Sequence, residues 1–90
     1  MKFYKAYVTI RLRSSILDVQ GKTIEHALQA LRMPSLSNVR LGKHIELDVH
    51  APDAETARTQ VQDACNKLLA NPVMEDYEIT LTETTHQVPA

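Results

Sequence analysis

The 90-residue chain has no tryptophan, one phenylalanine, one cysteine and two glycines, and its formal charge is only −1. Each shortage excludes something. The lone cysteine, Cys65, cannot form an internal disulfide, which suits a reducing compartment. A near-neutral charge and a pI of about 6.4 remove any global pull toward nucleic acid or an anionic membrane. No apolar run approaches the length of a membrane span and the N-terminus has no signal-peptide pattern, so the expected compartment is the cytoplasm. Walker loops, Ser/His/Asp sets, paired-carboxylate motifs and metal signatures are all missing. At 10.1 kDa the chain is one domain that buries roughly two-thirds of its unfolded surface. That supports one modest core and leaves little room for an enclosed active site, which favours shared sites and oligomers.

What is present is periodicity. From Asn38 to His50 the apolar residues Val39, Leu41, Ile45, Leu47 and Val49 occupy odd positions, and polar residues or glycine fill the even ones. Period-two alternation marks β structure with one buried face, and it breaks once, at Gly42-Lys43. Parity constrains that break. A two-residue hairpin there would turn Glu46 and Asp48 toward the core beside Val39 and Leu41, a costly place for carboxylates. A three-residue connection at Gly42–His44 keeps the apolar set inside, and so does one long strand bent at Gly42. Both remain open.

The other elements fall around this centre. Tyr4, Ala6, Val8, Ile10 and Leu12 alternate with Phe3, Lys5, Tyr7, Thr9 and Arg11 in a first strand with one open face. Asp18 is placed to cap a helix running to about Arg32, whose stripe of Ile24, Ala27, Leu28 and Leu31 is expected to face the sheet. Met33-Pro34-Ser35 ends it. Asp53 caps a second helix with Glu55 in its first turn and a stripe of Ala57, Val61, Ala64, Cys65, Leu68 and Leu69, stopped at Asn71-Pro72. Val73 and Met74 are expected to tuck under the sheet edge. Tyr77, Ile79 and Leu81 alternate with Glu78, Thr80 and Thr82 in a last strand.

The order is β-α-β-(β)-α-β. The economical solution is an α+β two-layer sandwich of the ferredoxin-like kind, with an antiparallel or mixed sheet and two helices on one face. It spans residues 1–83, with residues 84–90 as a flexible tail. The open sheet face is expected to carry Tyr7, Arg11, Arg40, His44, Glu46, Asp48, Glu78 and Thr80, and to be free to meet a partner.

Few residues invite chemistry. His44, Glu46, Asp48 and His50 share one face, but strand neighbours two apart stand about 6–7 Å from one another, and all four span too far for one metal ion. Cys65 lies in an apolar stripe with nothing in the sequence to activate it. Val19-Gln20-Gly21 is similar to the phosphate loop of acylphosphatases, yet no arginine follows Gly21. An RNA-stacking role for Phe3 and Tyr7 lacks its signature motif, and acidic neighbours oppose phosphate. A ferredoxin-like domain that senses a small ligand is the alternative to a domain that works through its surfaces.

A family resemblance selects between them. The segments Leu17-Asp18-Val19-Gln20-Gly21-Lys22, Val39-Arg40-Leu41-Gly42-Lys43, Glu46-Leu47, Lys67-Leu68-Leu69-Ala70-Asn71, Pro72-Val73 and Glu75-Asp76-Tyr77 occur in order, at matching spacing, and resemble the PurS family, the small subunits of phosphoribosylformylglycinamidine synthase. The departure is Val19, where the family often has proline. The resemblance implies a place in purine biosynthesis. There formylglycinamide ribonucleotide, glutamine and ATP give formylglycinamidine ribonucleotide, glutamate, ADP and phosphate. It implies a non-catalytic subunit with no cofactor or metal of its own. A glutaminase subunit carries the cysteine nucleophile, and a large synthetase subunit binds ATP and magnesium. The small subunit bridges the two, supports ammonia transfer and forms a dimer or higher homo-oligomer. Asp18, Gln20, Gly21, Lys22, Arg40, Gly42 and Lys43 become interface candidates on this resemblance. A capped helix start accounts equally for Asp18 and Gly21, and a backbone bend for Gly42.

Overall fold

The computed structural model describes residues 1–84. Its centre is β1 (Lys2–Leu12), flanked by β2 (Gly42–Ala51) on one side and β3 (Glu75–Thr84) on the other, both antiparallel to it. The register follows the alternation in the sequence. Ala6 pairs with Leu47 and Leu81, and Val8 with Ile45 and Ile79, so apolar side chains fall in rows on one face. The helix α2 (Ala54–Ala64) lies across that face, capped by Asp53, whose carboxylate accepts the Thr56 N–H at 2.7 Å. Tyr4, Ala6, Val8 and Ile10 of β1 form the buried core with Ala57, Val61 and Cys65. The element order is β-α-β-α-β, and the α+β ferredoxin-like class expected from the pattern holds.

Several particulars differ from expectation. The stretch 38–50 is neither a hairpin nor a bent strand: β2 begins at Gly42, and residues 38–41 run outside the sheet. The alternation of Val39 and Leu41 has another cause, described below. α2 continues into a π-helical turn, Cys65–Leu69, in which the Ala70 N–H reaches back five residues to the Cys65 carbonyl. The extra residue per turn rotates the stripe. Ala70 is buried in place of Leu68, which stands 81% exposed. Val73 and Met74 are exposed rather than tucked away, because Asn71 Oδ1 accepts both of their N–H groups and curls the chain into a surface turn.

The helix α1 (Val19–Ala30) packs extensively on none of the strands, whereas α2 packs on all three. Its stripe therefore does not face the sheet, and Leu31 just past its end is 69% exposed. It closes in a Schellman motif: the Arg32 N–H bonds the Gln29 carbonyl and the Met33 N–H that of Leu28, with Arg32 in the left-handed region at φ 64°. Of the tail expected over 84–90, Thr84 ends β3 and the remaining residues lie outside those described.

The open face of the sheet is polar and cross-linked. Phe3 stacks on His50 with ring centroids 4.4 Å apart. Lys5 lies 3.5 Å from Asp48 and 3.9 Å from Glu46, Arg11 is 3.3 Å from Glu78, and His44 meets Glu46 at 2.9 Å. Arg40, expected on this face, is not on it, since it precedes the strand.

Candidate functional site

The densest polar junction joins the start of α1 to the segment entering β2. Asp18 has extended backbone, so its carboxylate can turn back on the helix it caps. One oxygen accepts the Gly21 N–H at 2.9 Å, and the other accepts the Leu41 N–H at 2.6 Å. Seven residues later, close to two helical turns, Glu25 lies on the same face of α1. It accepts the Val39 N–H at 3.0 Å. Val39 and Leu41 are alternate residues of an extended segment, so their N–H groups point the same way. α1 and its capping residue thus hold the segment by two carboxylates.

Both acids are held below their ordinary carboxylate values. For Asp18 the main cause is the Leu41 N–H, then that of Gly21; for Glu25 it is the Val39 N–H, with burial opposing in each case. Gly21 lies between the two acids. A Cβ there would collide with the Val39 carbonyl and the Asp18 carboxylate, so the close approach of helix and segment requires glycine.

Arg40, between the two gripped N–H groups, points the other way. Its guanidinium donates to the carbonyls of Leu12, Arg13 and Ile16 at 3.2, 3.0 and 3.1 Å. Three residues, 39–41, therefore tie α1 to the end of β1 and to the loop after it. Gly42 pairs with Arg11, and a Cβ there would come within 2.7 Å of the Ile10 carbonyl. Lys43 reaches across β1 to Glu75 at 3.6 Å, and Glu75 also accepts the Asn71 N–H at 2.7 Å. Gln20, Gly42 and Lys43 line a cavity of about 230 Å³ over Ile10, Leu12 and Leu41. Lys22 and Arg40 line a second of about 320 Å³ beside Ser14 and Leu17.

The structure thus brings the seven candidates around one junction, with Asp18, Gly21 and Arg40 at its centre and Lys22 at its rim, 3.9 Å from Glu25. Glu25 was missed in the sequence. Its signal was the seven-residue spacing from Asp18, which sets two acids on one helix face. Chemically the junction is saturated. Its carboxylates are stabilised as anions by backbone donors, which makes them poor proton acceptors. Among the described residues no buried side-chain nitrogen or oxygen lacks a partner, and no three His, Cys, Asp or Glu side chains gather to hold a metal. Burial pushes the Cys65 thiol up, away from the reactive thiolate. No helix among these residues is long and apolar enough to cross a membrane.

A small α+β domain whose charged groups hold backbone, and whose sheet face and first helix stand open, belongs to the class of domains that act by assembly. Comparison with known proteins makes this specific. Residues 5–83 match the family model PurS, described as phosphoribosylformylglycinamidine (FGAM) synthase. The Synechocystis PurS subunit of that synthase is 44% identical over 82 residues, covering 89% of this chain and 82% of its own. The Bacillus subtilis PurS subunit is 38% identical over 84 residues, covering 93% and 99%. A chain in the structure of PurLQS from Thermotoga maritima superposes with a TM-score of 0.84 at 38% identity, covering 93% of this chain and all of that one. The chain belongs to the PurS family.

Proposed function

We propose that this chain is the non-catalytic assembly subunit of the ATP- and glutamine-dependent phosphoribosylformylglycinamidine synthase. It holds a glutaminase subunit and a large synthetase subunit together and supports the passage of ammonia between them. The observation that carries this reading is the saturated junction. A chain matched to PurS over residues 5–83 spends the charged residues of its best-marked motifs on its own backbone, where they shape a surface instead of a reaction. ATP and magnesium belong to the large subunit, and this chain holds neither. It works in the cytoplasm, as one member of a homo-oligomer.

Within the junction the labour divides. Asp18, Gly21 and Gly42 set the path of the backbone. Gln20, Lys22, Arg40 and Lys43 are exposed around it and are the contact residues offered to partners. Reconstitution tests the assignment. Purified alone, the chain shows no glutaminase or ATPase activity; added to the two larger subunits, it restores glutamine-dependent synthesis. Equal turnover by the larger two without it would falsify the reading.

A further inference from the structure

We propose that Arg40 is a positioning residue: its guanidinium pins a neck between two parts of the chain and so sets the angle at which α1 stands out from the sheet. Residues 14–41 form an arm that is closed on itself. Asp18 holds Leu41, Glu25 holds Val39, and the Schellman bonds finish α1. The helix packs extensively on no strand. The molecule is accordingly long, 52 × 28 × 18 Å, with a radius of gyration of 16.8 Å, against about 12 Å for a compact domain of this length.

Two runs of backbone join this arm to the body, one leaving β1 after Leu12 and one entering β2 at Gly42. Arg40 ties them together. Its Nη2 donates to the Leu12 and Arg13 carbonyls on the body side, and its Nη1 to the Ile16 carbonyl in the arm. A planar fork of donors suits several acceptors at once. Arg13 anchors the far side: its N–H bonds the Met74 carbonyl at 2.9 Å, and its guanidinium donates to the Pro72 carbonyl at 2.8 Å. Among residues 1–83 no side chain other than Arg40 makes a hydrogen bond or ion pair between arm and body. Room for movement is present. A cleft of about 230 Å³ has Asp18, Gln20 and Leu41 of the arm on its wall with Leu12 and Glu75 of the body, and another of about 310 Å³ has Ser14 and Arg40 with Arg11 and Asp76. The three Arg40 bonds are exposed, so water can take over the carbonyls when the guanidinium is removed, and neither arm nor body loses its own packing. A fixed angle favours binding, because a wandering arm presents the right geometry for only part of the time.

The test is a distance measured across the neck. With Cys65→Ala as background, nitroxide labels at His26→Cys on α1 and Thr80→Cys on the open sheet face are read by pulsed electron spin resonance, in an excess of unlabelled chain so that only distances within one copy count. With Arg40 in place the distances form one narrow population. Arg40→Met, which keeps the length and removes the donors, at least doubles the width with the far-UV circular dichroism unchanged. Arg40→Lys, a single point donor in place of the fork, falls between. Arg58→Met removes an arginine–carbonyl bond inside the body, to Ile79, and leaves the population narrow. An unchanged width in Arg40→Met, equal broadening in Arg58→Met, or loss of the circular dichroism signal in Arg40→Met overturns the proposal. These distances come from the chain without the larger subunits, so they separate positioning from a direct contact of Arg40 with a partner, and they stand or fall independently of the subunit assignment. In the reconstituted synthase, Arg40→Met raises the concentration of this chain needed for half-maximal turnover and leaves turnover at saturation unchanged. The rise is about tenfold if the freed arm holds the native angle for about a tenth of the time.

Discussion

Asp18 accepts the backbone N–H of Leu41 across 23 residues of chain, at 2.6 Å, while capping the helix that begins beside it. One side chain thereby sets both where α1 starts and where the chain re-enters the sheet. Gly21 allows the approach. Replacing Gly21 with alanine drives a methyl group into the Val39 carbonyl, and neither backbone can yield without loosening the Asp18 and Glu25 bonds. Overpacking of this kind costs about 1–3 kcal/mol, and urea denaturation should show a midpoint lowered accordingly. An unchanged midpoint would mean the helix and segment do not meet as described.

The same junction sets an acid response. Asp18 and Glu25 are held below their ordinary values of 3.8 and 4.5. A depressed folded-state pKa means that the unfolded chain binds more protons as pH falls, so stability rises with pH across that range. The contribution is fully present above about pH 5 and is lost as pH drops through 4.5 and 3.8 toward the folded values. Urea midpoints measured from pH 7 to 3 should stay level and then fall. In an Asp18→Asn, Glu25→Gln double variant the fall should be shallower, with a lower plateau at pH 7. An identical slope in the variant would place the titration elsewhere.

The strands, both caps and the α2 core stripe as far as Cys65 were legible because each depends on neighbours in sequence. Alternation at Tyr4–Ile10 and Tyr77–Leu81 and the caps Asp18 and Asp53 all appear as read. The alternation at Val39 and Leu41 was real but ambiguous. Two acids on a helix can hold an extended segment as a neighbouring strand does, and one sequence cannot say which donors and acceptors meet. The stripe of α1 was likewise read correctly as a stripe and wrongly as facing this chain's own sheet. Periodicity reports that a face needs covering and is silent on which surface covers it.

The π-helical turn was illegible for a sharper reason: Cys65–Leu69 has ordinary helix-forming spacing, and the inserted residue changes only phase. That phase is testable by contrast. Leu68→Ala should change stability by no more than about 0.5 kcal/mol, as at an ordinary surface position, because Leu68 lies in solvent. Ala70→Leu should cost about 1–3 kcal/mol, because Ala70 is buried against the core. A regular α-helix through this stretch reverses the order, with Leu68→Ala the costly change. Thermal or urea unfolding of the two variants side by side decides between them.

Arg32 offers the opposite kind of test, a gain. It occupies the left-handed position after α1 at φ 64°, where the Schellman bonds of residues 32 and 33 hold it. That conformation crowds a Cβ against the following carbonyl and costs an L-residue roughly 1–2 kcal/mol. Glycine avoids the crowding but gives up more freedom on folding, a partly offsetting loss of about 0.5–1 kcal/mol. Arg32→Gly should therefore stabilise the chain by up to about 1.5 kcal/mol, raising the urea midpoint with no change in slope. Arg32→Val should lower it, since β-branching is worst tolerated at positive φ. The pair of opposite signs matters: a midpoint lowered by both changes would show that the arginine side chain, through some contact of its own, outweighs the backbone it strains.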